Sequence, residues 1–426
     1  MKTYSLTPLI APVTKTVRIP GSKSYTNRAL LLATLTKGTV TIKNPLFSDD
    51  TKAMISCLET LGIGIETTND TITVFGDISQ IKTGDYTLDA KLSGTTVRFI
   101  TALACIIPGK KTIIGEEGLQ KRPITDLVDA LKQLGAKIEY LGKEDYPPLS
   151  IISETLTVGN VTVKGTISSQ YLSAILMIAP LIGNITITID GEQISKPYIY
   201  LTLATMKDFG VTVTNNQYTT YEISAKQAYK KDTYTVEGDY SSAGYFFAIA
   251  ALTTATITVE NLSSDSKQGD KQFLSLLEYM GNHVTYAANS VTIQGKTLKA
   301  LSVSLQDYPD QAQTLAVLAA FINGTTTIHG IASLRVKETE RILALQTELK
   351  KMGIETESTE DSLTIFGGNP KPATIHTYGD HRMAMAFAVA GSKISGMQIV
   401  DPDVVTKTFP TFWETIRSIG IGVTTV

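Results

Sequence analysis

The segment Pro20–Leu32, PGSKSYTNRALLL, sets the reading of the whole chain. Gly21 breaks the backbone, Ser22 and Ser24 suit a helix start, and Lys23 and Arg28 stand beside them. The apolar helical segment Ala29–Leu35 follows. The first turn of a helix has unpaired N–H groups and about half a positive charge, so phosphate or carboxylate is favoured there. A single serine at a helix start is an ordinary cap. The weight of this one lies in its recurrence.

Comparable starts lie at Ser93-Gly94-Thr95-Thr96 before Val97–Ile107 and at Ser168-Ser169-Gln170 before Tyr171–Ile182. Asp239-Tyr240-Ser241-Ser242 precedes Ala243–Leu252, Asp310 stands as an N-cap before Ala312–Ile322, and Asp380-His381-Arg382 precedes Met383–Val389. Each apolar helix is followed by the same phrase: a turn, a short β-branched strand, a second helix, a glycine, and an alternating strand or hairpin. The first copy covers residues 38–76, and the later ones begin at Gly109, Gly183, Ala255, Gly324 and Gly396. A period of roughly 70 residues is too long for a common solenoid repeat, so each copy is a small globular unit. A helix apolar all round must be buried, so three copies would pack these helices inside with their sheets outside.

The low-contrast junctions Val17–Gly21 and Val236–Asp239 divide the chain into one three-repeat domain over 21–237 and a second made of 1–20 plus 238–426. Two crossings of this kind form a hinge pair suited to closure around a ligand. If the buried helices are parallel, their polar starts converge on a cleft between the domains.

Composition narrows the function. The 42% apolar and 18% charged fractions are those of an ordinary folded protein. With 38 basic against 40 acidic residues, a broad nucleic-acid surface is not expected. Cys57 and Cys105 lie inside apolar helical patterns and read as core residues in a reducing compartment. No signal or transit peptide is visible, and no apolar run approaches the ~20 residues that span a bilayer. The expectation is a cytoplasmic protein with no membrane partner.

Charged motifs also head the second helices. Arg122 precedes Pro123, which suits a first helical position. Ser195, Lys196 and Tyr198 open another; Lys337, Glu338 and Arg341 open a helix expected over Lys337–Met352; and Lys407 lies before the last. Singly these read as solvated ion pairs or surface cations. Together Lys23, Arg28, Arg122, Lys337, Arg341, Arg382 and Lys407 each mark a joint of a repeat, and such a set suits phosphates and a carboxylate. There is no GxxxxGK[ST] loop, no GxGxxG after a strand and no Cys/His metal spacing, so neither cofactor nor metal is expected.

At this point the chain resembles the enolpyruvyl transferases, closely so their 5-enolpyruvylshikimate-3-phosphate synthase branch. The resemblance rests on PGSKSYTNRALLLA, SGTTVRF, QKRPI, ISSQYLSA, SKPYI, VEGDYSSA, PDQAQT, RVKETER, YGDHRMAMA and TKTFP, in order over nearly the whole chain. It implies an α/β fold, a two-domain inside-out α/β barrel with three βαβαββ units per domain and buried parallel helices. It implies transfer of the enolpyruvyl group of phosphoenolpyruvate to the 5-hydroxyl of shikimate 3-phosphate by a monomer, through a tetrahedral intermediate. Carried over by position, Lys23, Ser24, Arg28, Ser168, Ser169, Gln170, Ser195, Tyr198, Asp310 and Lys337 resemble the shikimate 3-phosphate contacts. Lys23, Gly94, Arg122, Gln170, Arg341, Arg382 and Lys407 resemble the phosphoenolpyruvate clamp. Asp310 and Glu338 resemble the proton-handling carboxylates, with Lys23 as an assisting acid. Sensitivity to glyphosate follows from the same resemblance. Ser333 and Leu92-Ser93 depart from the usual pattern at two loops.

The nearest rival, UDP-N-acetylglucosamine enolpyruvyl transferase, typically carries a cysteine in the loop matching Gly109–Arg122, where this chain has none. A non-catalytic anion-binding scaffold is the rival of another class, and it would not require Asp310, Glu338 and Lys23 beside the arginines. One assay separates the three: phosphate release from phosphoenolpyruvate is expected with shikimate 3-phosphate and not with UDP-N-acetylglucosamine.

Overall fold

A helix without a polar face needs apolar neighbours on every side, and the chain supplies such helices in threes. The computed structural model describes residues 2–152, 155–224 and 227–426. It forms two compact units, Gly21–Val236 and Met1–Pro20 with Glu237–Val426. The first buries helices Lys23–Leu35, Gly94–Ala104 and Ser169–Ile182 over most of their length. The second buries Tyr240–Thr253, Ala312–Ala319 and His381–Gly391. Each unit thereby has its own continuous apolar core.

The described strands make six four-stranded sheets. In a representative sheet, Gly38–Lys43 pairs in parallel with Thr233–Thr235 and antiparallel with Thr71–Gly76, which continues to Gly64–Thr67. Alternation decides which face is inward: Val40, Ile42, Ile72 and Val74 are buried, while the intervening threonines face out. The parallel strand comes from a neighbouring copy, so each sheet also ties two repeats together. The sixth sheet differs. Its copy ends at Gly422–Thr425, and Thr3–Thr7 inserts between that strand and Met397–Val400, antiparallel to both. The second N-terminal strand, Thr14–Arg18, joins Thr256–Glu260 in parallel. The first twenty residues thus complete sheets of the C-terminal copies.

Each unit secures the chain where it enters or leaves. Asn44 and Asn261 both adopt left-handed backbone, with φ of 53° and 71°, a conformation that asparagine tolerates better than most residues. Asn44 Nδ2 donates to Val236 O at 2.7 Å, and Asn261 Nδ2 donates to Ile19 O at 3.0 Å. The two crossings fall directly beside these anchors.

At the far ends of the buried helices, hairpin glycines let strands touch helix carbonyls. A Cβ at Gly76, Gly295 or Gly367 would strike the carbonyl oxygen of Ala33, Ala250 or Ala319 respectively. In the second unit Leu252, in the last turn of its helix, and Phe321 and Ile394, just past the ends of theirs, line one cavity of about 640 Å³. The three helices therefore run parallel, with starts at one end and ends at the other. No helix among the described residues is long and apolar enough to cross a membrane. Because backbone cannot yield as a side chain does, Gly295→Ala should destabilise the protein by ~1–3 kcal/mol, read as a fall in thermal midpoint of several degrees.

Candidate active site

In the unit Gly21–Val236 the helix starts meet. Ser93 and Ser168 cap their helices, accepting from Thr96 N and Gln170 N, whereas Ser22 makes no side-chain cap bond. Lys23 Nζ pairs with Asp50 Oδ2 at 3.1 Å. Thr96 Oγ1 donates to Asp50 O at 3.1 Å, and Gln170 Nε2 donates to Thr95 Oγ1 at 3.3 Å. These contacts join three first turns, carrying Lys23, Gly94 and Gln170, with Ser169 buried beside them.

Arg28 lies deeper. Its Nε donates to Thr202 Oγ1 at 2.8 Å and its Nη atoms donate to Ser24 O and Tyr198 O. The guanidinium also lies over the Phe99 ring, 5.5 Å from its centre. Burial pushes the Arg28 pKa down to about 10, opposed by Tyr198, Tyr25 and Tyr234, so it stays charged at neutral pH. Ser195, at φ 52°, holds its left-handed position immediately before the helix that carries Tyr198. Arg122 faces Gly94: a Cβ there would come within 2.5 Å of Arg122 Nη1 and 2.6 Å of Arg98 Nη1. Only glycine leaves both guanidinium groups where they are.

The other unit gathers its charges more densely. Arg341 is almost wholly buried and donates to three carboxylates: Nε to Asp380 Oδ2 at 2.7 Å, Nη1 to Asp310 Oδ1 at 3.1 Å and Nη2 to Glu338 Oε2 at 2.8 Å. Burial works against its charge, but Asp380, Glu338 and Asp310 outweigh that and raise the Arg341 pKa. Arg382 Nη2 donates to Asp310 Oδ2 at 2.9 Å and to Ser241 Oγ at 3.3 Å, which brings the three buried helix starts of this unit together. Lys407 Nζ lies 3.9 Å from Glu338 Oε1. Three cations thus interleave with three carboxylates, and an anion binding here competes with Asp310 and Glu338 for the same donors.

Two local expectations change. Asp310 is not a helix N-cap: it sits inside the short turn Pro309–Gln311, and its carboxylate reaches Arg341 and Arg382. The helix expected over Lys337–Met352 begins at Arg341 and ends at Lys351. Lys337 and Glu338 precede it, so Lys337 and Arg341 are not i,i+4 neighbours on one solvated, ion-paired helix face with Glu338 and Glu340; Glu338 instead folds back onto Arg341. Lys337 itself is half-buried in that connection.

Several residues of these clusters escaped the sequence reading. Arg98 donates to Gly94 O at 2.8 Å and packs over Tyr171 at 5.4 Å; an arginine within an otherwise apolar helix was its signal. Asp50, in the first turn of its helix, was not singled out, and Asp380 was read only as part of a helix start; their lysine and arginine partners distinguish them.

Known proteins match this chain over nearly its whole length. Residues 9–416 match the EPSP synthase family, described as EPSP synthase (3-phosphoshikimate 1-carboxyvinyltransferase). A 3-phosphoshikimate 1-carboxyvinyltransferase of Marinomonas sp. (strain MWYL1) is 43% identical over 411 residues, covering 95% of this chain and 96% of its own. One from Shewanella sediminis (strain HAW-EB3) is 42% identical over 426 residues, covering 99% and 100%. The solved 2.37 Å structure of EPSP synthase from Acinetobacter baumannii matches with a TM-score of 0.83 at 26% identity, over 100% of both chains. Similarity of this extent, in sequence and in fold alike, means that the chain belongs to the EPSP synthase family.

Proposed function

We propose that the residue sets at the helix starts of both units serve one reaction, the transfer for which the family is named. The chain moves the enolpyruvyl (1-carboxyvinyl) group of phosphoenolpyruvate to the 5-hydroxyl of shikimate 3-phosphate and releases inorganic phosphate. This is the step of the shikimate pathway that leads toward chorismate and the aromatic amino acids. The observation that carries the residue assignment is the single guanidinium of Arg341, which holds Asp310 and Glu338 together beside Arg382.

Shikimate 3-phosphate is assigned to Lys23, Ser24, Ser168, Ser169, Gln170, Ser195, Tyr198, Asp310 and Lys337, with Arg28 adding its buried charge and tying Ser24 to Tyr198. Phosphoenolpyruvate is assigned to Lys23, Gly94, Arg122, Gln170, Arg341, Arg382 and Lys407. Hydroxyls, amides and helix-start N–H groups suit a phosphorylated polyol, and guanidinium groups suit a carboxylate with a phosphate.

The chemistry needs two proton transfers in each half. In the addition, the 5-hydroxyl oxygen bonds to C2 of phosphoenolpyruvate, a base takes the hydroxyl proton, and an acid delivers a proton to C3. In the elimination, a base removes a proton from the new methyl group, the C2–O bond to phosphate breaks, and the leaving phosphate takes up a proton. Asp310, Glu338 and Lys23 are the groups assigned to these transfers, each worth ~10²–10⁴-fold. In the resting chain Asp310 and Glu338 are held by Arg341, Arg382 and Lys407; a bound anion takes over those donors and leaves the carboxylates more basic. Developing negative charge is met by the same arginines.

We read the enzyme as a cytoplasmic monomer. Cys57 and Cys105 are both buried, and burial pushes both thiols up to about 12, which fits inert core residues in a reducing compartment.

Asp310→Ala and Glu338→Gln should each lower kcat by at least ~10²-fold while substrate binding, measured by titration calorimetry, stays largely intact. Near-normal turnover in either variant removes that residue from the mechanism. Gly94→Ala should raise KM for phosphoenolpyruvate about tenfold with a smaller change in kcat, because the new methyl group displaces Arg122 and Arg98. An inhibition curve on the wild-type chain checks the glyphosate sensitivity that family membership implies.

A further inference from the structure

The turn that carries Asp310 is braced from inside the protein. Gln311 follows it directly in Pro309–Gln311 and is fully buried. Its Nε2 donates to Asp270 Oδ1 at 3.1 Å and reaches Ser241 O at 3.5 Å. The other face of the carboxamide lies against Gly244, where any Cβ would collide with it. Gln311 Oε1 has no hydrogen-bond partner among the described residues, so the donor end orients the side chain. Asp270 is 4% exposed and stands in the short turn Gly269–Lys271. Two residues earlier, Gln268 anchors that turn by donating to Gly238 O at 2.7 Å and accepting from Tyr240 N at 3.1 Å.

We propose that Asp270 is a positioning residue for the Asp310 carboxylate, acting through the Gln311 carboxamide. The inference rests on the assignment of Asp310 to proton transfer. A turn of three residues has few degrees of freedom. Pro309 fixes φ at one end, and the Gln311–Asp270 bond fixes the other. Asp310 between them is then aimed at Arg341 and Arg382 before substrate arrives. Loss of the bond leaves the turn in place but the carboxylate poorly aimed, and misplacement of a reacting group by about 1 Å costs up to ~10²-fold in rate.

Asp270 also acts electrostatically. Burial, then the charges of Asp310 and Asp239, push its pKa up to about 7, against Arg382 and the Gln311 bond, which lower it. Tyr308 is another titratable side chain that feels its charge. Near that pH Asp270 changes charge, and as it ionises it makes its carboxylate neighbour hold a proton more tightly. Removing the group should therefore take the inflection near pH 7 out of the kcat–pH profile.

The test compares Asp270→Ala, Asp270→Asn and Gln311→Met with Asp310→Ala, using steady-state kinetics, pH profiles and thermal melts. Asp270→Ala and Gln311→Met should lower kcat about tenfold or more with KM changing less. Asp270→Asn keeps an oxygen for Gln311 Nε2 and should recover most of kcat, with the wild-type inflection near pH 7 lost. If Asp270→Ala does not fold, Gln311→Met against Asp270→Asn decides. Wild-type kcat in both Asp270→Ala and Gln311→Met, or Asp270→Asn no better than Asp270→Ala and with the wild-type pH profile, overturns the proposal. Should Asp310→Ala retain turnover, it is the assignment of Asp310 that fails. An inactive Asp310→Ala beside wild-type Asp270 and Gln311 variants removes the brace alone.

Discussion

Everything in this molecule depends on burying helices that have no polar side. A helix such as Tyr240–Thr253, almost wholly buried, is stable only when other apolar surfaces enclose it. Three of them packed together, with sheets around them, meet that demand in each unit. The consequence is chemical. Parallel packing collects the polar first turns at one end, where backbone donors and helix dipoles are concentrated. Packing that stabilises the core therefore also creates a place for anions, and the connections to the second helices bring Arg122, Arg341 and Lys407 into those regions.

The two units answer the resulting positive potential differently. In Gly21–Val236 the donors are largely neutral or engaged with backbone: Ser93 and Ser168 cap, Gln170 meets Thr95, and Arg28 is tied to Ser24, Thr202 and Tyr198. In the other unit buried cations are balanced by buried acids. Isolated charges would be costly there, and a pair stripped of one partner leaves an uncompensated buried charge. Arg341 escapes that cost by donating to Asp380, Glu338 and Asp310 at once. Asp380 is fully buried, whereas Asp310 and Glu338 retain some exposure. The same ion cluster thus contains one enclosed member and two more accessible ones, an arrangement that suits the proton transfer proposed for Asp310 and Glu338.

Much of the candidate site is legible because its residues sit where local rules place them. Ser93, Ser168, Asp239 and Asp380 are recognisable helix starts and do cap. The glycines after second helices mark real chain reversals, as at Gly135 and Gly353 with φ of 92° and 77°. Asp310 misleads for an instructive reason. An acid just after a proline and just before an apolar run has the local form of a cap, yet Arg341 and Arg382, distant in sequence, attract it more strongly than the helix N–H groups do. Glu338 is a similar case: in isolation Lys337–Arg341 favours one more helical turn, and the pairing of Glu338 with a buried guanidinium delays the helix start to Arg341. Asp270 gave no local signal at all, since its role appears only once Gln311 lies against it.

The sequence by itself determined the six-fold repetition, the apolar helices that must be enclosed, the assignment of the first twenty residues to the C-terminal half, and the residue types gathered at each helix start. These follow from periodicity and polarity, which act over a few residues. Tertiary structure alone decided which carboxylate meets which guanidinium, that Thr3–Thr7 fills the place of a missing hairpin strand, and that Gly94 must leave room for two arginines. Those outcomes depend on distances between segments far apart in the chain, and a buried charge selects its partner by proximity and desolvation rather than by neighbourhood in sequence.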